Sequence, residues 1–135
     1  MAKRLLSSTP KQIFGHALEF QLIFNSGAAF SLATSATIFL SVLSICAIVG
    51  IYIFARSITS RMWGLALGLL FGGILGNLSD RVFRAPYFFR GSVVDWIRLP
   101  HWPVFNLADT SIVISAAAIA LLLLKNVKPR SRDEQ

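Results

Sequence analysis

The sequence predicts an all-α membrane protein, a bundle of transmembrane helices joined by short polar segments. Of its 135 residues 55% are hydrophobic and only 14% charged, whereas soluble domains carry about 25% charged residues. Mean hydropathy is +0.66. Three runs also have the length and apolarity to cross a bilayer, which takes about 20 residues. The basic residues flank these runs. A chain of this length suits one domain.

The first run covers about 35–54 and holds no charge; the second covers about 62–78 and the third about 104–124. The second carries Gly64, Gly68, Gly72 and Gly76, each four residues after the last. That spacing places a glycine stripe on one helical face, where a neighbouring helix can approach closely. The third run contains a single acidic residue, Asp109, near its start.

A net charge of +7 admits nucleic acid as a partner, but the basic residues form no single patch. Beside apolar runs they meet phospholipid headgroups, which argues against nucleic-acid binding. Arg56 and Arg61 bracket the connection between the first two runs, and Lys125, Lys128, Arg130 and Arg132 follow the third. These two segments fall on the same side, and their density marks it as cytoplasmic. Three spans then leave residues 1–34 outside, although residues 1–11 contain no apolar signal segment. The expectation is a chain truncated at its N-terminus, with one more helix upstream.

Leu18-Glu19-Phe20-Gln21-Leu22 alternates apolar and polar residues, the pattern of a short strand. Residues 80–103 carry Phe83, Tyr87, Phe88, Phe89, Trp96 and Trp102, side chains that gather at the membrane interface. Cys46 lies in an apolar run and reads as a small buried thiol. With one cysteine and only His16 and His101, neither an intrachain disulfide nor a structural zinc site is expected. No Gly-x-Ser-x-Gly elbow and no glycine-rich phosphate loop occurs, and no cofactor is expected.

The acidic residues carry the chemistry. Six exist, and Asp80, Asp95 and Asp109 cluster around the outer ends of the second and third runs. An ionisable group at the membrane is costly and marks function. Asn77-Leu78-Ser79-Asp80 and Asn106-Leu107-Ala108-Asp109 repeat one pattern. On a helix, residues three apart share a face, so each asparagine amide could orient the carboxylate that follows it. Pro100 and Pro103 break the chain between Asp95 and Asp109, allowing it to turn back and bring those two together. Two close carboxylates in a low dielectric share one proton, which suits peptide hydrolysis without a metal or a covalent nucleophile. The competing assignment pairs the aspartates with Arg81, Arg84 or Arg98, and for Asp80, next to Arg81, that structural role is favoured.

Four blocks now stand in order: Phe24-Asn25-Ser26-Gly27-Ala28-Ala29-Phe30-Ser31, Gly72-Gly73-Ile74-Leu75-Gly76-Asn77-Leu78-Ser79-Asp80-Arg81, Val93-Val94-Asp95-Trp96, and Phe105-Asn106-Leu107-Ala108-Asp109. Together they resemble the lipoprotein signal peptidase, or signal peptidase II, family over about residues 18–124. The resemblance implies a four-helix membrane enzyme, with three of the spans here, and a small extracytoplasmic β-cradle. It implies an aspartic dyad of Asp95 and Asp109, with Asn25, Asn77, Asp80, Arg81 and Asn106 supporting the site or touching substrate. The implied substrate is a prolipoprotein bearing diacylglycerol on its cysteine and cut just before that cysteine. The implied setting is the bacterial cytoplasmic membrane, the active site facing outward, in a monomer that binds the cyclic peptide globomycin. The family's first helix with its Asp-x-x-(Ser/Thr)-Lys motif is missing, with Ala2-Lys3-Arg4 as the expected remnant behind it. The segment 82–92 is also longer than in compact members. The alternative from another class is a non-catalytic membrane protein, a transporter subunit or lipid-binding scaffold, with structural aspartates.

Overall fold

In lipid a backbone segment must satisfy its own hydrogen bonds, so long apolar runs become helices. The computed structural model describes residues 10–25, 33–84 and 88–130. Residues 2–4, 26–31, 85–87 and 132, singled out above, lie outside the described residues. The element order is β1 (Lys11–Gln12), a short 3-10 turn, β2 (Glu19–Asn25), α1 (Ala33–Ala55), α2 (Arg61–Phe83), β3 (Val93–Arg98) and α3 (Leu107–Leu124). All three helices are long and apolar enough to cross a membrane. Their surfaces expose Leu65 at 71% and Leu124 at 80%, as lipid-facing positions require. Cys46 belongs to this surface too: it is exposed on α1 and not the buried thiol expected, because α1 is apolar on every side and its sequence does not mark which face is covered.

Two helices begin or end away from the edges of the apolar runs. α2 runs to Phe83 instead of stopping near residue 78, because loss of apolarity marks membrane depth and not the end of a helix. Asn77, Ser79, Asp80 and Arg81 continue the helix. α3 starts at Leu107 and not at 104. Phe105 is occupied elsewhere, in an isolated antiparallel bridge with Ile97.

The chain forms two compact units, one of Met1–Ser41 with Ser79–Leu107 and one of Val42–Leu78 with Ala108–Gln135. The first contains the sheet, antiparallel throughout, in the order β1-β2-β3. Phe20 faces Ile97 and Ile23 faces Asp95, so β2 carries one more residue than β3 between these pairs. Such a bulge bends the strand and raises its twist. Phe20 and Trp96 pack edge to face there, ring centroids 5.2 Å apart. After β3 the chain turns through Pro100 and His101, and the Phe105 N–H donates back to the Ile97 carbonyl at 3.0 Å.

The second unit is held by Trp63, Ala66 and Leu122, with Ile58, Ala118, Ile119 and Val127 packed around them. The Trp63 indole Nε1 donates to the Val127 carbonyl at 2.8 Å. The Thr59 and Ser60 amides both donate to the Pro129 carbonyl at 3.1 Å, and Arg130 Nε donates to Ser57 O at 3.1 Å. The two basic segments of the sequence therefore adjoin. The glycine stripe behaves otherwise than expected. Among the described residues, Gly64, Gly68 and Gly72 face open space, while Gly76 and its off-stripe neighbour Gly73 meet α3. A Cβ on Gly73 would lie 2.7 Å from the Ala108 carbonyl and 2.8 Å from Ile112 Cγ1. The close helix crossing sits at the Asn77 end of α2.

Candidate active site

Each unit contains an aspartate held by asparagine. In the first, β3 presents Asp95 between hydrophobic neighbours; Val93 and Val94 are 3% and 4% exposed and Asp95 itself 2%. An aspartate this deeply buried needs hydrogen-bond donors, since a carboxylate without partners in a low-dielectric site costs several kcal/mol or more. Two amides supply them. Asn106 Nδ2 donates to Asp95 Oδ1 at 2.8 Å, and Asn25 Nδ2 donates to Asp95 Oδ2 at 2.9 Å. Asn25 reaches it because Asn25 pairs with Val93 and Ile23 with Asp95, which puts Asn25 on the carboxylate's side of the sheet. Asn106 reaches it because the Phe105–Ile97 bridge brings the residue after the bridge alongside β3.

In the second unit Asp109 lies in the first turn of α3, where the helix dipole favours negative charge. Asn77 Nδ2 donates to Asp109 Oδ1 at 2.8 Å. The pair meets because Gly73 and Gly76 let α2 lie directly on α3 one turn below. Asp109 is half-buried, unlike Asp95.

Each asparagine amide reaches an aspartate of a different block: Asn77 donates to Asp109 and Asn106 to Asp95. Asn106 stands just outside α3, after the bridge that lays it along β3.

Asp80 faces neither asparagine. Its Oδ1 accepts Arg84 Nε at 2.6 Å, so its ionic partner is the arginine one turn on rather than the adjacent Arg81. Its Oδ2 accepts the Val94 N–H at 3.0 Å, fastening the end of α2 to the residue before Asp95. Arg81 is buried on that same last turn at 8% exposure. Sequence reasoning passed over Gly91, whose N–H donates to the Arg81 carbonyl at 2.9 Å. Its only signal was a lone glycine just ahead of a β-branched run. Among the described residues no three His, Cys, Asp or Glu side chains are grouped to hold a metal ion. The arrangement can hold two carboxylates in fixed rotamers through amide donors.

Residues 1–125 match the family model described as Signal peptidase (SPase) II. The lipoprotein signal peptidase of Mycobacterium leprae is 43% identical over 120 residues, 89% of this chain and 60% of its own length. That of Streptomyces coelicolor is 47% identical over 120 residues, 89% of this chain and 59% of its own length. The chain thus spans about 60% of the length of these curated relatives. Among solved structures, a bacterial membrane enzyme determined by the in meso method at 2.3 Å aligns with a TM-score of 0.75 at 28% identity, covering 95% of this chain and 78% of its own. A second, at 1.9 Å, aligns with a TM-score of 0.76 at 28% identity, covering 89% and 77%.

Proposed function

This chain belongs to the Signal peptidase (SPase) II family, and from that premise we propose that it is an aspartic endopeptidase of the bacterial membrane, working as one membrane-embedded domain. Its catalytic pair is Asp95 and Asp109. Its substrate is a prolipoprotein whose cysteine already carries diacylglycerol, cut on the N-terminal side of that cysteine. The observation that carries this reading is that both aspartates of the family blocks accept asparagine amides, from Asn25 and Asn106 on one side and Asn77 on the other. Chain connectivity adds support: Asn106, a donor to Asp95, is three residues from Asp109.

The chemistry needs one proton between two carboxylates. The ionised aspartate takes a proton from water as the water oxygen attacks the scissile carbonyl carbon. The protonated aspartate donates its proton to the carbonyl oxygen, giving a neutral gem-diol. The proton then held by the first aspartate passes to the amide nitrogen, the C–N bond breaks, and the gem-diol returns a proton to the second. Asn25, Asn77 and Asn106 fix the carboxylate rotamers; Asp80 and Arg81 support the strand that carries Asp95. The active site faces the extracytoplasmic side, opposite the adjoining basic segments, which lie against anionic headgroups. The enzyme works as a monomer and without nucleic acid or metal, and a globomycin-type cyclic peptide blocks the site.

The test is cleavage of a lipidated precursor by the purified chain in detergent, beside the same precursor without lipid. The reading predicts a single cut before the lipidated cysteine and little cleavage of the unlipidated form. Asp95→Asn and Asp109→Asn should each lose about 10³-fold in turnover, the range of acid–base catalysis. Full turnover in both variants would remove the dyad.

A further inference from the structure

The chain entering β3 is fastened to the end of α2 at two points, both ahead of Asp95. At the first, Gly91 donates its N–H to the Arg81 carbonyl at 2.9 Å with its α-carbon laid against the helix terminus. A Cβ on Gly91 would press on the Asp80 carbonyl oxygen and lie 2.8 Å from that of Arg84 and 3.0 Å from that of Arg81. All three atoms are backbone, so none can swing aside as a flexible side chain would. At the second point, Asp80 Oδ2 accepts the Val94 N–H at 3.0 Å. Its Oδ1 accepts Arg84 Nε, an ion pair part-exposed to solvent. The next residue is Asp95, whose 2% exposure leaves no room to recover from a displaced strand.

We infer that Gly91 is a positioning residue for Asp95, acting with Asp80 as a clasp that sets how far β3 lies from the last turn of α2. The inference rests on Asp95 being catalytic. It assigns to Gly91 not conformational freedom but contact distance. A misplacement of about 1 Å in a catalytic group can cost about 10²-fold in rate, and the fastenings act four residues and one residue ahead of the carboxylate.

The experiment measures kcat and KM on a diacylglyceryl-modified precursor for the unaltered chain and for Gly91→Ala, Asp80→Ala, Asp80→Asn, Asp95→Asn and Gly50→Ala. Gly50 is the control, since a Cβ there meets nothing. Gly91→Ala and Asp80→Ala should each lower kcat at least tenfold with KM changed less than about twofold. Asp80→Asn, which keeps an oxygen to accept the Val94 N–H, should recover most of the loss, and Gly50→Ala should match the unaltered chain. Deuterium uptake at residues 93–98 should rise in Gly91→Ala and Asp80→Ala and return toward normal in Asp80→Asn. Unchanged kcat in Gly91→Ala, or equal losses in Asp80→Ala and Asp80→Asn, overturns the clasp while activity of the unaltered chain and its loss in Asp95→Asn keep the catalytic reading. An Asp95→Asn variant with full turnover overturns the catalytic reading itself, and the inference with it. If Gly91→Ala fails to fold, the two Asp80 variants decide.

Discussion

Asp95 and Asp109 are held by the same chemistry on different scaffolds. Asp95 sits on a strand whose position is set by a neighbouring strand, a returning chain and a helix end, and it receives two amides while 2% exposed. Asp109 sits on a helix whose position is set by one close crossing at Gly73 and Gly76, and it receives the Asn77 amide while half-buried. A buried carboxylate on a strand cannot borrow a helix dipole or solvent and depends on side-chain donors. A carboxylate in the first turn of a helix already has N-terminal peptide dipoles behind it.

The comparison can be broken most sharply at Asn106. Replacing it with alanine leaves the buried Asp95 short of a charge-assisted hydrogen bond, worth about 1.5–3 kcal/mol. Asn106→Ala should lower kcat by roughly 10–100-fold, read in the same cleavage assay. Asn77→Ala acts on the half-buried carboxylate and should cost less, about 10-fold or below. Equal losses in the two variants would mean that burial does not separate the two aspartates.

A third variant sharpens the scaffold argument. Gly73→Ala inserts a methyl group against the Ala108 carbonyl and Ile112, and overpacking of this kind costs typically about 1–3 kcal/mol. Its melting temperature in detergent should fall, and turnover with it. Gly64→Ala, which meets open space, should leave both unchanged. The smallest effect belongs to Trp63→Phe. It removes the hydrogen bond to Val127, distant in sequence from both aspartates, and should lower stability by about 1 kcal/mol without altering kcat.

Those variants also divide what the sequence made legible from what it did not. The three spans were readable because lipid solvent demands continuous apolar runs; the aspartates stood out because acids are scarce beside them. The strand at β2 was visible in the alternation from Leu18 to Leu22. The contacts of Asn77 with Asp109 and of Asn106 with Asp95 were not, since they depend on a helix crossing and a returning chain that join residues of different motifs. The glycine stripe misled for a related reason. Four-residue spacing identifies a face, but only the chain's folding decides which glycines meet a neighbour, and here they were Gly73 and Gly76. Gly91 gave almost no signal, because its role is a distance to three carbonyls that lie seven to eleven residues back along the chain.

The most direct test of the central claim is a double-mutant cycle on the two aspartates under single-turnover conditions. Groups that share one proton act as a unit, and removing either should cost nearly as much as removing both. The prediction is that Asp95→Asn, Asp109→Asn and the double variant all fall to a similar residual rate, about 10³-fold below the unaltered chain. Losses that multiply in the double variant, or an Asp109→Asn enzyme within about threefold of the unaltered rate, would contradict a shared-proton pair.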